Sequence, residues 1–351
     1  TRDYGFGASG TVTLGDLGTL TCTWAEPITC TIPAGTRIGP PGSMGGRQLT
    51  VTRTDSGQST VAGVTVQVGL RVGATAHVIG PPTPQALSPL DQTIQDAIDL
   101  AGPNDLIMVR PSIYNELLVM DKPVQLQGFG EGSTVINAVK APPDKLDIWR
   151  GLVDGLTGSG AIDLLPGQEV GPGTPEPVTL WTEEGAGVLV LPSAINQQSF
   201  SFTRNQGARI DGFTISGADT GGGIILNGYA SDMQISNNRI INNSGQYAGG
   251  IRLGHPNLLA EGNAACGGGT DLCYPDAEND NVVISHNYVG QNGGISGSGG
   301  GVSICNGAES YALSDNYICG HFDMDQGGGV AHYGYSAGDT VIARNTLVVY
   351  D

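Results

Sequence analysis

Basic residues are scarce in this sequence. Lys and Arg total 15 against 33 Asp and Glu in 351 residues, a formal net charge of −18. Without a basic stripe to neutralise phosphates, nucleic acid is excluded as a partner, and an anionic membrane surface is disfavoured for the same reason. A uronic-acid polymer is repelled unless cations bridge it, while neutral sugars and divalent cations are compatible. No run approaches the ~20 apolar residues of a membrane span. No CxxC pair occurs and His is sparse near Cys266 and Cys273, which argues against a zinc site. GxSxG, HExxH and P-loop motifs are missing; "GFGEG" (128–132) is not GxGxxG and no clear helix follows it. "SGSGGGVSI" has the glycines of a calcium-binding nonapeptide repeat without its Asp.

What is abundant is Gly, at 57 residues more than double ordinary usage, with Val, Ile and Leu recurring throughout. This composition suits short strands separated by tight turns. Four segments repeat in the C-terminal half: "ISNNRI" (235–240), "ISHNYV" (284–289), "LSDNYI" (313–318) and "IARNTL" (342–347). Their shared Asn238, Asn287, Asn316 and Asn345 are spaced 49, 29 and 29, and "IDGFTI" (210–215) is a degenerate earlier member with Phe213 in the Asn slot. A second type alternates with it: "GGGIILNG" (221–228), "GGIRLGHP" (249–256), "GGGVSICNG" (299–307) and "GGGVAHYG" (327–334). The two long gaps coincide, so one insertion at about 255–277 explains both.

A unit of 28–29 residues with two short strands is too short for a βαβ crossover, and no helical periodicity lies between the strands. Each unit is therefore read as one turn of a parallel β-helix, with equivalent residues stacked in columns at ~4.8 Å. Upstream, Ile94, Ala97, Ile98 and Ala101 have the spacing of a short helix that caps the first turn. Residues 139–190 break the pattern and read as a second insertion. Residues 1–80 read as a small antiparallel, β-sandwich-like module, and 81–92 as a Pro-rich linker. The expected class is all-β, a solenoid over 93–351 behind that module. The chain begins at Thr1 rather than Met and stops in mid-strand, so it is read as part of a longer secreted protein that continues beyond 351.

Six Cys fall as three local pairs: Cys22–Cys30, Cys266–Cys273 and Cys305–Cys319. Local pairing is one of 15 connectivities, and an even count in this composition points to an oxidising, extracellular compartment.

The repeat together with "TIQDAIDLAGPNDLIMVRPSIYNELLVMDKPVQLQGFG" (93–130) resembles the right-handed parallel β-helix proteins of the pectin-lyase-like superfamily, over roughly 90–351. More narrowly, it is similar to β-helix segments of large bacterial secreted or surface proteins. The resemblance implies that Asn238, Asn287, Asn316 and Asn345 form a structural ladder in left-handed turns, their amides bonding along the stack. It also implies that any cleft lies along the sheet of "GGG" strands. Alternation points Ile225, Asn227, Arg252, Gly254, Ser303, Cys305, Ala331 and Tyr333 outward there, a set without a carboxylate. Glycoside hydrolysis needs two carboxylates, and lyase chemistry needs a base, so Arg252 and Tyr333 are the candidates on that face. The calcium-binding acid cluster of pectate lyases and the paired-Asp motifs of polygalacturonases have no match on those strands.

A second candidate set precedes the ladder: Asn237, His286, Asp315 and Arg344 stack as an outward stripe whose His–Asp–Arg part could act as a trio. His332 points inward and is read as a satisfied core His. "GHFDMDQGGGV" (320–330) is a turn in which Asp323 and Asp325, at i and i+2, are candidate ligands for one Ca²⁺. The expected function is a non-catalytic structural or binding module of a secreted or cell-surface protein. Its partners would be other domains of a parent protein, copies of itself, or glycans. The alternative is a carbohydrate-active enzyme, a polysaccharide lyase or hydrolase, whose site lies between the sheet and the inserted loops, with Asp144, Asp147, Glu261 and Asp276 as acid candidates.

Overall fold

The computed structural model describes residues 6–25, 27–36, 45–61, 63–165, 168, 170, 184–193, 201–255, 277–295, 299–305, 307–324, 327–332, 342–344 and 346–349. Three long parallel sheets form the faces of a β-helix. The first face stacks Ala76–Ile79, Leu106–Val109, Gln125–Gln127, Arg209–Asp211, Gln234–Ser236, Val283–Ser285, Ala312–Ser314 and Ile342–Arg344. The second stacks Ser112–Tyr114, Thr134–Asn137, Thr214–Ser216, Arg239–Ile241, Tyr288–Gly290, Tyr317–Cys319 and Leu347–Val349. The third stacks Leu118–Met120, Val188–Val190, Ile224–Leu226, Ile251–Leu253, Val302–Ile304 and Val330–His332. A short fourth sheet of Ser244–Gly245, Gly293–Gly294 and Phe322–Asp323 lies between the second and third faces in the upper turns.

In-register pairing turns each face's inward positions into a column. Leu126, Ile210, Ile235 and Ile284 are aligned on the first face, and Ile136, Ile215, Ile240 and Val289 on the second. These residues and their third-face counterparts are fully buried in one continuous core. A three-residue strand buries one or two side chains, so no turn has a core of its own and the stack supplies it.

The start of the solenoid is a degenerate turn. Ala76–Ile79 pairs parallel with Leu106–Val109, and Ala86 bridges Ile113, so residues read as module and linker already lie on the first and second faces. Helix α1 (Thr93–Leu100) follows, with Ile94 and Ile98 fully buried in the core. Its N-terminus is closed by a residue of the next turn: Glu116 accepts from Ile94 N at 3.0 and 3.1 Å and from Gln95 N at 3.0 Å. Lys122 closes the other end, donating to the carbonyls of Ile98, Asp99 and Ala101 at 3.1, 2.6 and 3.4 Å.

Burial pushes the Glu116 carboxyl up to about 7, against the pull of the two amide donors. A carboxyl raised above its unfolded value adds stability that is complete below the unfolded pKa and is lost as pH rises through the folded one. The melting temperature should therefore fall between about pH 5 and pH 8. Glu116→Gln should flatten that fall, and an unchanged slope in the variant would assign it to other groups.

Helix α2 (Pro143–Ser159) lies in the stretch read as the 139–190 insertion, but the end of that stretch is no insertion, since Val188–Val190 is the second strand of the third face. Pro143 sits at its first position, and Gly160 in the left-handed region (φ 69°) ends it. Trp149 and Val153 pack on Val119, Leu189 and Ile225, which point outward from the first, second and third strands of the third face. Those positions are apolar because the helix covers them. Arg150 ties the helix to Glu184 through two bonds of 2.8 Å.

In the N-terminal module, Leu49–Arg53 pairs antiparallel with both Gly10–Leu14 and Ser59–Val61, and a hairpin of Thr21–Thr23 and Thr29–Thr31 carries the Cys22–Cys30 disulfide. Cys305 and Cys319 are not joined to each other. They are close in sequence, but one leaves a third-face strand and the other ends a second-face strand, so the solenoid holds them on different sides. Cys266 and Cys273 lie outside the described residues.

Candidate functional site

The corner between the first and second faces is built by a two-residue step. The first residue takes a positive φ: Gly212 76°, Asn237 56°, His286 58° and Asp315 58°. The second carries the rung. Thus the left-handed residue is the one before each ladder Asn rather than the Asn itself. Phe213 N donates to Asn238 Oδ1, Asn238 N to Asn287 Oδ1, and Asn287 N to Asn316 Oδ1, each at 3.0 Å. Each amide also donates through Nδ2 to a carbonyl one turn below: Ile210, Ile235 and Ile284 at 2.9 Å.

The next rung belongs to Thr346 and not to Asn345. Ser314 pairs with Arg344, so the last described turn is one residue longer than the sequence repeat suggests. Thr346 Oγ1 accepts from Asn316 N at 3.5 Å and donates to Leu313 O at 3.2 Å. A hydroxyl is both acceptor and donor, so it can do what the amide does. Asn345 itself is outside the described residues.

A second ladder, not read from the sequence, stands at the far end of the second face. Its left-handed residues are Gly217, Asn242, Gln291 and Gly320. Ala218 N donates to Asn243 Oδ1 at 3.1 Å and Asn243 N to Asn292 Oδ1 at 3.0 Å. The top rung is His321: Nδ1 accepts from Asn292 N at 3.2 Å and Nε2 donates to Val289 O at 3.1 Å. The signal was available, because Asn243 and Asn292 each lie five residues after a rung of the first ladder, and His321 lies five after Asn316.

A rung here needs one acceptor and one donor, and the ring supplies both. His321→Asn, which restores the amide used one turn below, should stay within about 1 kcal/mol of the parent, whereas His321→Leu should cost about 1–3 kcal/mol by leaving Asn292 N and Val289 O without this partner, read by urea unfolding. Equal losses in the two variants would mean that the ring acts by packing alone.

The three glycines after this turn are a packing requirement. A Cβ on Gly223 would lie 2.8 Å from Gly250 O, one on Gly250 2.1 Å from Gly301 O, and one on Gly301 2.4 Å from Gly329 O. Asp323 lies over Gly294, where a Cβ would meet the movable end of its carboxylate rather than backbone. Among the described residues no three His, Cys, Asp or Glu side chains converge as a metal site, and Asp325 lies outside them.

The His286–Asp315 part of the proposed stripe stacks on Asn237 at the first corner. Asp315 is exposed and His286 half-buried; burial lowers the His286 pKa, opposed by the Asp315 charge. Arg344 is not part of this column, because it pairs in the strand row of Ser314. Asn237 is turned to a different task, donating to Asp211 Oδ1 at 2.8 Å.

The third face is not an open cleft. Ile225, Asn227, Arg252, Ser303 and Cys305 are all 2% exposed or less. Asn227 and Gln168 exchange two bonds of 2.8 Å. The Arg252 guanidinium carbon is 5.7 Å from the Tyr247 ring centre, and Tyr247 meets His255 edge-on at 5.2 Å. Tyr333, Glu261 and Asp276 are outside the described residues. Asp144 lies in the first turn of α2, and exposed Asp147 pairs with Arg150 at 3.3 Å. His332 occupies the inward column above Ile304, but it is exposed and lies 2.9 Å from Tyr311 Oη through Nδ1.

An outward row with side chains open to solvent lies on the second face. Arg239 stacks over Tyr288, 4.7 Å from guanidinium carbon to ring centre, and Tyr288 stacks on Tyr317 at 5.5 Å and 15°. Their register follows from parallel pairing of Arg239 with Tyr288 and of Tyr288 with Tyr317. Among the described residues no helix is long and apolar enough to cross a membrane. With these features in hand, the chain was compared with known proteins: no family model, no curated protein and no solved structure matches it.

Proposed function

We propose that this chain is a non-catalytic structural or binding module of a secreted or cell-surface protein, built on a β-helix of the pectin-lyase-like kind. The observation that carries the reading is the pair of side-chain ladders, whose polar groups are spent on the neighbouring turn. Such corners lock the turns into a stiff stack. The Cys22–Cys30 disulfide is compatible with an oxidising, extracellular setting. Partners in this reading are other domains of a parent protein, further copies, or glycans met by the Arg239–Tyr288–Tyr317 row. Aromatic and guanidinium groups suit the apolar faces and hydroxyls of sugars.

A polysaccharide lyase or hydrolase is the second reading, favoured by Arg252, Tyr247 and His255 gathering on the third face. One experiment separates the two. The protein is incubated with a broad panel of neutral and acidic glycans, and retention, new reducing ends and unsaturated uronate are measured. Retention without turnover, weakened by Tyr317→Ala, is the expected result. Turnover that disappears in Arg252→Ala would replace the first reading by the second.

A further inference from the structure

The N-terminal module is held to the first face by a built receptor rather than by a greasy patch. Thr65 N donates to Asp211 Oδ2 at 2.8 Å, Gln127 Nε2 donates to Thr65 O at 3.1 Å, and Asn237 Nδ2 reaches Thr65 Oγ1 at 3.4 Å. Behind them Arg209, fully buried, donates to Gln125 Oε1 at 2.9 Å and Gln127 Oε1 at 2.5 Å and faces Asp211 at 3.5 Å. Beside them Gly212 leaves a hollow for Val64: a Cβ there would stand 2.6 Å from Val64 Cγ1. The receptor thus reads one backbone amide, one hydroxyl and one small apolar side chain.

The stretch that connects the module to the solenoid has few ties. Val72 is fully exposed, and Gly69 and Gly73 adopt positive φ of 79° and 91°. Anchors around it include Arg71 Nη1 to Arg204 O at 3.3 Å, Thr75 N to Asp105 Oδ1 at 2.6 Å and Leu106 N to Thr75 O at 2.9 Å. The receptor recognises a segment, and nothing in its contacts specifies that the segment come from the same chain. We propose that a second copy of this chain can fill it, so that copies join by exchanging their N-terminal modules. The exchanged contact is continuous with the docking interface already present, so it creates no new surface, and the closed and exchanged forms differ in hinge conformation and in concentration. A short tether favours the closed form; shortening it further removes that form.

The test deletes Arg71–Gly73 from the full chain and measures mass in solution by light scattering. The expected result is a dimer or larger closed species, which returns to monomer when Asp211→Ala is added. A deletion variant that folds and stays monomeric would overturn the proposal, as would oligomers indifferent to Asp211→Ala. Should the deletion variant not fold, the parent decides. Isotope-labelled and unlabelled batches are mixed at high concentration just below the melting midpoint and analysed by native mass spectrometry. Mixed dimers support exchange, and their absence ends it. The proposal rests on the structural-module reading for its setting alone. Glycan turnover would end that reading and leave exchange standing, whereas strict monomers end exchange alone.

Discussion

Gly250→Ala is expected to cost about 3 kcal/mol or more and to leave little folded protein at 37 °C. The added carbon would sit 2.1 Å from Gly301 O and 3.0 Å from Gly301 C and Val289 Cγ1. Two of these three neighbours are backbone, so no flexible side chain can swing away. Moving Gly301 is no relief, because Gly301 N donates to Gly328 O at 2.9 Å and Val302 N to Gly329 O at 2.9 Å. The strain therefore passes to the next turn. The cost comes from space and not from φ, since Gly250 is not among the positive-φ glycines. Gly132→Ala is the control: nothing lies within 4 Å of its added carbon, and it should change stability by no more than about 0.5 kcal/mol. Urea unfolding followed by circular dichroism measures both. A Gly250→Ala midpoint within error of the parent would mean that Gly250 and Gly301 do not approach this closely.

The repeat was legible because stacking imposes it. Columns of Ile, Asn and Gly recur at one position per turn, so periodic identity in the sequence becomes register in the structure. What was missed follows from the same physics. A rung needs an acceptor for the N–H on the neighbouring turn and a donor for a carbonyl, and Asn, Thr and His each supply both. Matching on Asn alone therefore overlooked His321 and placed Asn345 where Thr346 stands. Alternation says which third-face residues share a side, yet it says nothing about what lies above. The clue was chemical: Val119, Leu189 and Ile225 are apolar at outward positions, which calls for a cover, and α2 provides it. The Cys305–Cys319 pairing failed because sequence distance is a poor measure around a solenoid, where a few residues carry the chain from one face to another. The Arg209–Asp211 cluster carried no sequence signal at all, since its partner Thr65 is 146 residues from Asp211.

That cluster gives the other large expected effect. Asp211→Ala should cost about 3–5 kcal/mol, because it leaves Arg209 charged and buried with its ionic partner gone. Both groups are fully buried. Burial raises the Asp211 pKa and lowers that of Arg209, each opposed by the other's charge, so the pair is held at a desolvation cost. If the ion pair were the whole of the interaction, replacing both partners by apolar side chains would recover the loss. It should not do so here. Asp211 also accepts from Thr65 N and Asn237 Nδ2, so Thr65 N would lose its acceptor and Asn237 one of its two, at about 1–3 kcal/mol for the orphaned amide. The double variant Arg209→Met/Asp211→Leu should therefore stay below the parent in stability and, like Asp211→Ala, release the module, with the buried Thr65 amide losing its protection from hydrogen exchange. Full recovery in the double variant would reduce the cluster to a simple ion pair. A loss under about 1 kcal/mol in Asp211→Ala would mean that water reaches the site and the module is not docked through it.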